Sequence, residues 1–247
     1  MQPTEIMRAT AALGDIGPAF YFTPESGEYA QQQFGIDGFR FYFLGRGGVL
    51  GDVEADVVRA AFGYFEPGLL AHMWNSGRER VAPRSPRDVA RGFIECGHAF
   101  GRAKFAGLPG LDEFVAAAAE VIAVPEGAGL ALFAGVRAEP VPADAPAAAM
   151  HQAMVLRELR GSAHLLAVAA TGLATPLAHA IKRPGDVALF GYPADAAPEA
   201  TDADRAKWER AEALTDELLA PAYAALSDDQ AEALIAGTQA MRAALAS

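Results

Sequence analysis

Residues 155–183, VLRELRGSAHLLAVAATGLATPLAHAIKR, have the pattern of three alanine-rich helices separated by glycines. Alanine and leucine are strong helix formers, so this stretch predicts a helix–turn–helix–turn–helix unit with helices at about 146–160, 162–171 and 174–182. Four polar side chains stand in this apolar background: Arg157, Arg160, His164 and His179. Such a unit suits either DNA binding or a buried polar site for a small ligand.

Helix-start signals recur along the rest of the chain. Ser85-Pro86 with Asp88 combines a capping serine, a first-turn proline and an N-terminal acid, and Ser227 is followed by two aspartates. Pro24-Glu25 opens a third segment in the same way. Together with the apolar spacing they predict helices near 4–13, 24–34, 54–64, 67–76, 85–105, 111–123, 202–219 and 227–245.

Two segments are less certain from the residues alone. The aromatic run 38–51, GFRFYFLGRGGVLG, fits a strand by β-propensity or a buried helix. The neighbouring helices favour a helix followed by a glycine loop at 45–51. A short strand is expected at 187–190, inside the irregular stretch 184–200.

The fold class that follows is all-α or nearly so, a multi-helix bundle of about ten helices. The segment 134–148 is rich in proline and alanine and is the best candidate for a linker. It separates an aromatic-rich half, 1–135, from a second helical half, 136–247. We expect the two halves to pack as one unit.

The composition limits the compartment and the partners. The chain has 247 residues, a net charge of −11 and one cysteine, Cys96, which excludes an internal disulfide and fits a reducing cytosol. A strongly acidic surface repels phosphate backbones, so nucleic acid is expected to be an unlikely partner. The sequence shows no basic–apolar leader and no run of ~20 apolar residues. We therefore expect a soluble, cytoplasmic protein that does not enter membranes.

Several stretches resemble a bacterial family of SalK-like or helix-turn-helix family proteins. The similar residues are LRELRGSAHLLAVAATGL and TDELLAPAYAAL in the second half, and YFTPE, GFRFYFLGRGGVLG and FGYFEPGLLA in the first. The resemblance implies a mainly helical fold with a winged-helix-like C-terminal part, and it implies no particular reaction. Members continue past the third helix with a tryptophan-containing helix and a wing. Here that region is shortened to 184–200, which predicts a degenerate winged helix.

The third helix of the 155–183 unit is a poor DNA reader. The helix 174–182 and the next residue have only three side chains that could contact DNA, those of His179, Lys182 and Arg183, and are otherwise apolar. A recognition helix needs several exposed polar side chains for bases and phosphates. The sequence therefore favours burial of this helix over insertion into a groove.

Arg157, Arg160 and His164 share one helical face if Gly161 does not break the helix, because they are spaced at i, i+3 and i+7. A buried arginine needs an acceptor. Candidate acceptors are an internal carboxylate, such as Glu25, Glu66 or Glu95, and an anionic ligand. The plainer alternative is a structural Arg–Glu pair beside a hydrogen-bonded core histidine.

Twelve aromatic residues fall between Phe20 and Phe65, both included. They form either an ordinary hydrophobic core or an apolar pocket for a ring-bearing ligand. In the pocket interpretation, polar groups come from Tyr21, Tyr42, Tyr64, Arg46 and Trp74. The glycine loop 44–52 lacks the phosphate-binding patterns, but its Arg46 could clamp a carboxylate through both oxygens.

Metal and covalent chemistry have little support in the sequence. The five histidines (His72, His98, His151, His164 and His179) form no HxxxH, HxH or HExxH pair, so no metal site is predicted, although a haem held by a lone histidine stays open. Cys96 and His98 lie about 200° apart around a helix and would not pair. The identity of any cofactor is left unknown.

The sequence favours a small-molecule-binding protein whose partly aromatic or anionic ligand lies between the two halves. One alternative is an enzyme that uses the same pocket with His164 or His72 as acid or base. Another is a ligand-responsive transcriptional regulator. The alanine-rich helices 202–219 and 227–245 could pair with a second subunit, so a homodimer is the default expectation.

Overall fold

The computed structural model describes residues 1–193 and 199–246, and every regular element among them is helical. Thirteen α-helices and two short 3-10 turns, 48–50 and 184–186, follow one another in these residues. The helices are α1 (Pro3–Ala9), α2 (Leu13–Ile16), α3 (Pro24–Phe34), α4 (Gly38–Gly47), α5 (Ala55–Phe62), α6 (Pro67–Val81), α7 (Pro86–Phe105), α8 (Leu111–Ala123), α9 (Ala131–Arg137), α10 (Ala145–Ala170), α11 (Thr175–Lys182), α12 (Asp202–Tyr223) and α13 (Asp228–Leu245). The all-α prediction is confirmed.

The capping signals act as the sequence predicts. At α7 the Ser85 hydroxyl accepts from the Asp88 backbone N–H, and the Asp88 carboxylate accepts from the Ser85 backbone N–H. Ser227 and Gln230 form the same reciprocal arrangement at α13. Each pair satisfies backbone donors that a helix otherwise leaves open, which fixes where the helix begins.

The helical interpretation of residues 38–51 is confirmed, but the glycine loop expected at 45–51 is not. Asp37 caps α4, which continues to Gly47 and then tightens into the 3-10 turn 48–50. The glycines permit close packing: a Cβ at Gly48 would meet the Pro86 carbonyl, so α7 approaches here at backbone distance. Packing, more than turn formation, explains these glycines.

Helix α10 runs unbroken through Gly161, so the predicted break between 160 and 162 is wrong. A glycine inside a helix costs only about 1 kcal/mol relative to alanine. Seventeen of the 26 residues of α10 are buried, and this burial outweighs that cost. Asp144 caps the helix by accepting from Ala147, so the expected linker 134–148 reduces to the connection 138–144.

The centre of the molecule is α10, which packs against α2, α7, α8, α9 and α12. One apolar core extends from Ile6 to Met241 and draws on both predicted halves, while a boundary near residue 135 stays a prediction. A smaller cluster of Ala167, Val168, Leu173, Ala178 and Ala211 joins the C-terminal end of α10 to α11 and α12.

The strand predicted at 187–190 is wrong, because these residues form turns after the 3-10 turn 184–186. The backbone N–H of Glu66 donates to the Phe190 carbonyl at 2.8 Å, which ties this segment to the first half of the chain. Part of the expected winged region, 194–198, lies outside the described residues. The described part of the chain contains no strand, and the winged-helix detail stays an implication of the resemblance.

Candidate ligand-binding site

The polar residues singled out in the sequence form two separate centres along α10. The first is a buried ion triad of Arg46, Arg157 and Glu158. Arg46 donates from Nε and Nη2 to the two carboxylate oxygens of Glu158 at 2.8 and 3.0 Å, and Arg157 donates to the same carboxylate. The carboxylate is 3% exposed and the Arg46 side chain 10%. The expected carboxylate clamp by Arg46 therefore exists, and its partner is internal.

The triad is electrostatically well matched to its surroundings. Burial alone would raise the pKa of Glu158, but the charges and hydrogen bonds of Arg157 and Arg46 lower it from 4.5 to about 2. Arg46 also donates to the Tyr42 hydroxyl at 3.3 Å, and the Arg157 guanidinium lies 5.5 Å from the centre of the Tyr21 ring. The Glu158 carboxylate therefore has its partners within the protein.

The aromatic residues of the first half pack on one another. The Tyr21 ring centre lies 5.5 Å from that of Tyr42 and 5.1 Å from that of Phe93. The cavity beside the triad has a volume of about 10 Å³, which holds no more than one water. Trp74 is fully buried, and its indole N–H donates to the Val53 carbonyl at 2.9 Å. In this structure these rings fill a core.

The second centre begins about one helical turn further along α10, where Arg160 follows Arg157 by three residues. We call it the Glu212 cluster, formed by Tyr64, Arg160, His164, His179, Lys182, Glu212 and Thr215. Glu212 on α12 is its hub: its Oε2 accepts from Arg160 at 2.8 Å, and its Oε1 lies 3.7 Å from His164 Nδ1 and 3.8 Å from Lys182 Nζ. Residues from both halves of the chain meet here.

The geometry around His164 fixes where its ring proton lies. Thr215 donates its hydroxyl to the Ala211 carbonyl at 2.7 Å, so its oxygen is left to accept from His164 Nδ1 at 3.0 Å. Burial lowers the pKa of His164 from 6.5 to about 4, against the opposing influence of Glu212, so the ring is neutral at pH 7. The proton then sits on Nδ1, and Nε2 carries a free lone pair.

Aromatic rings enclose the cluster. The Trp208 ring meets the His164 ring edge-on at 4.9 Å, and the Phe190 ring lies 3.8 Å from that of His179. Phe190 also stacks on Phe65 at 4.3 Å. The turn segment before residue 194 thus closes over the histidine of α11.

Several polar atoms of this cluster are buried without a hydrogen-bond partner. They are Tyr64 Oη, His164 Nε2, His179 Nε2 and Glu212 Oε1. Burial raises the pKa of the Tyr64 phenol, which therefore keeps its proton. An unmade hydrogen bond in the interior costs about 1–3 kcal/mol per group. His164 and Glu212 contact each other, and the rings of Tyr64 and His179 are neighbours at 6.4 Å, whereas the ion triad has no such unpaired atom.

The remaining candidates divide as follows. His72 is exposed on α6 and takes no part in the buried cluster, whereas His164 does. His98 and His151 form a separate buried pair.

Within residues 1–193 and 199–246 no three His, Cys, Asp or Glu side chains are placed to share a metal ion. Burial raises the pKa of the Cys96 thiol to about 12.

Sequence reasoning missed the carboxylates that matter. The acceptors of the arginines are Glu158 and Glu212, and not the predicted candidates Glu25, Glu66 and Glu95. A signal for Glu212 exists in α12, where the buried residues Ala211, Thr215 and Leu219 recur every four positions. Glu212 adjoins that face and lies three residues before Thr215, within reach of a partner helix.

The comparisons with known proteins give one result. No curated protein and no solved structure matches the chain. In the described ranges, no helix combines the length and apolar character needed to cross a bilayer. The model of the helix-turn-helix family matches residues 6–188, about three quarters of the sequence. The chain therefore belongs to the helix-turn-helix family.

Proposed function

We propose that this helix-turn-helix family protein binds a small polar molecule in the Glu212 cluster. The observation that carries the proposal is the set of buried, unpaired polar atoms on Tyr64, His164, His179 and Glu212. Buried polar groups in folded proteins are almost always hydrogen-bonded, so several exceptions in one place indicate an absent partner. A ligand that forms hydrogen bonds with these atoms would remove the free-energy cost of burying them unpaired.

The position of the cluster supports this role. It joins the segment after α5, in the first half, to α10, α11 and α12 in the second. Ligand sites commonly lie where two parts of a fold meet and combine an apolar wall with a few polar groups. Here Trp208 and Phe190 supply the wall.

The charges around the cluster narrow the kind of ligand. Arg160 and Lys182 both face Glu212, so each of these cations already has a carboxylate as its partner, and they share it. His164 Nε2 can only accept a hydrogen bond, and Glu212 Oε1 is likewise an acceptor. The free groups thus favour a ligand with N–H or O–H donors over the anionic ligand expected from the sequence.

Two hydroxyl deletions test the proposal. Tyr64→Phe removes a polar atom of the cluster, and Tyr21→Phe removes a buried tyrosine hydroxyl beside the ion triad. Native mass spectrometry of the intact purified chain should show an added mass in wild type and Tyr21→Phe that is reduced or lost in Tyr64→Phe. A wild-type spectrum with the protein mass alone, together with equal stability of the two variants, would contradict the proposal.

A second candidate function, DNA binding under ligand control, is favoured by the family membership, which weighs against the expectation that nucleic acid is an unlikely partner. Helix α10, the connection 171–174 and α11 have the order of a helix-turn-helix unit, and α11 ends on the exposed Lys182 and Arg183. Because Lys182 Nζ lies 3.8 Å from Glu212, a ligand in the cluster would touch this helix.

Salt-dependent binding tests the second candidate. Fluorescence anisotropy with a DNA fragment from upstream of the gene should give a steep loss of affinity with salt, with a slope reduced by about 1 in Arg183→Ala. Arg59→Ala, at an exposed arginine of α5, is the matched control. The absence of binding at low salt would remove this candidate.

We include a homodimer in the second candidate, because regulators that read paired half-sites are usually dimers. Helix α12 exposes Leu218, which a second subunit could cover. Sedimentation equilibrium tests this, with a monomeric mass as the contrary result. The closer likeness to SalK-like proteins and a degenerate winged helix also belong to this proposal.

A further inference from the structure

A second group of buried polar side chains lies between α7 and α10, away from the Glu212 cluster. His98 Nε2 and His151 Nδ1 are 3.0 Å apart. His98 is 6% exposed and His151 is fully buried. Two histidines in direct contact inside an apolar core are an uncommon arrangement, because each ring has to find a partner there.

The outer end of this group reaches the surface through Glu95. One carboxylate oxygen of Glu95 accepts from Arg102 at 2.9 Å, and the other lies 3.2 Å from His98 Nδ1. Arg102 also donates to Asp144 at 3.0 Å. Both oxygens of the Glu95 carboxylate thus face hydrogen-bond donors, and a carboxylate accepts hydrogen bonds but cannot donate them.

The proton positions along the chain follow from this end. Burial lowers the pKa of His98, and it lowers the pKa of His151 to about 4, so both rings are neutral at pH 7. A neutral imidazole has one N–H. His98 uses it at Nδ1 for Glu95, so its Nε2 accepts from His151 Nδ1. The single proton of His151 is thereby placed, and its Nε2 is left as a bare lone pair.

His151 Nε2 is buried and has no hydrogen-bond partner. We propose that Glu95, His98 and His151 form a proton relay whose inner end, His151 Nε2, binds a small molecule that donates an O–H or N–H. Water, a small alcohol and a small amine share this chemistry. The site lies apart from the Glu212 cluster and does not depend on the function proposed above.

The relay also determines what a proton from solvent would do. When one proton is added to the two imidazole rings, they carry three ring N–H protons in total. Only one hydrogen fits between His98 Nε2 and His151 Nδ1, and His98 Nδ1 keeps its own for Glu95. The third proton is therefore on His151 Nε2, which changes from a hydrogen-bond acceptor to a donor, so a bound water, alcohol or amine would have to turn a lone pair towards the ring.

Nitrogen-15 NMR of the full chain, labelled at histidine, tests the relay at pH 7. Wild type should show His98 and His151 protonated at Nδ1, with His151 Nε2 resonating as an unprotonated nitrogen. In Glu95→Ala the acceptor is gone, so His98 should carry its proton on Nε2 and His151 should switch to Nε2–H. Arg102→Met breaks the same salt bridge but keeps the carboxylate, so the wild-type pattern should persist.

Two results would overturn the proposal. One is a wild-type His151 protonated at Nε2, and the other is a His151 signal unchanged in Glu95→Ala. The occupant is identified separately: an NOE from the His151 ring to water indicates water, and an added mass in native mass spectrometry that is lost in His151→Leu indicates an organic molecule. A ring with neither contact would refute the binding site.

Discussion

Glu158 of α10 holds Arg46 of α4 through both of its carboxylate oxygens, although the two residues are 112 positions apart in the sequence. This pair fastens the aromatic half of the chain to the central helix. The Glu158 carboxylate is almost inaccessible to solvent, so burying its negative charge would be costly without the two arginines that pair with it.

Glu158→Gln should destabilise the protein strongly. The change leaves two largely buried guanidinium groups without a counter-charge, and breaking a buried pair in this way costs about 3–5 kcal/mol. Urea denaturation measures the difference in the free energy of unfolding. Asp56→Asn, which removes an exposed pair with Arg59, is the control and should change it by less than ~1 kcal/mol. Similar effects of the two changes would contradict the buried triad.

The same carboxylate should make the protein sensitive to strong acid. The folded pKa of Glu158, about 2, lies below its ordinary value of 4.5, so the folded state favours the ionised form. The stabilisation is full above about pH 4.5 and is lost as the pH falls towards 2. Unfolding free energies of wild type and Glu158→Gln should therefore converge across that window. A constant gap down to pH 2 would show that Glu158 acts by packing alone.

The buried histidines should produce a second pH dependence, at less acidic pH than that of Glu158. The folded pKa of His164 is about 4, below its ordinary 6.5, so the unfolded chain binds the extra proton first. Stability is full above about pH 6.5 and decreases towards pH 4, by up to ~1.4 kcal/mol per pH unit for such a group. His164→Leu should reduce the slope of unfolding free energy against pH. An unchanged slope would mean that His164 is protonated in the folded protein.

Two glycine substitutions probe helix α10 and its packing. At Gly161 a Cβ meets nothing within 4 Å, so Gly161→Ala should stabilise the protein by about 0.5–1 kcal/mol. At Gly101 of α7 a Cβ would lie 2.6 Å from the Pro146 carbonyl oxygen and 2.7 Å from Met150 Cβ. Gly101→Ala should destabilise by about 1–3 kcal/mol. Thermal unfolding distinguishes them, and a loss of stability at Gly161 would argue for a break in the helix.

The helices of this fold were predictable because their signals are local. Ser85, Pro86 and Asp88 mark the start of α7, and the apolar spacing carries it to Phe105. Gly161 was misinterpreted because its cost as a helix breaker is small beside the burial of the residues around it. Local sequence contains no measure of that burial.

The polar partnerships were less accessible to prediction. Arg157 and Arg160 lie on one helix and had been expected to share a site, yet Arg157 binds Glu158 and Arg160 binds Glu212. Which carboxylate meets which arginine depends on how α4 and α12 cross α10, and this is long-range information. His164 and His179 are buried, and their role in binding a ligand stays a prediction, whereas the indole of Trp74 is held in the core by its hydrogen bond to Val53.

The unbroken course of α10 has a mechanical consequence. His151, Glu158 and His164 all project from one stiff rod, and the first and last are separated by about 20 Å along its axis. A translation or rotation of this helix would change the contacts of the histidine pair, the ion triad and the Glu212 cluster at the same time. The three polar centres are therefore mechanically coupled through a single helix.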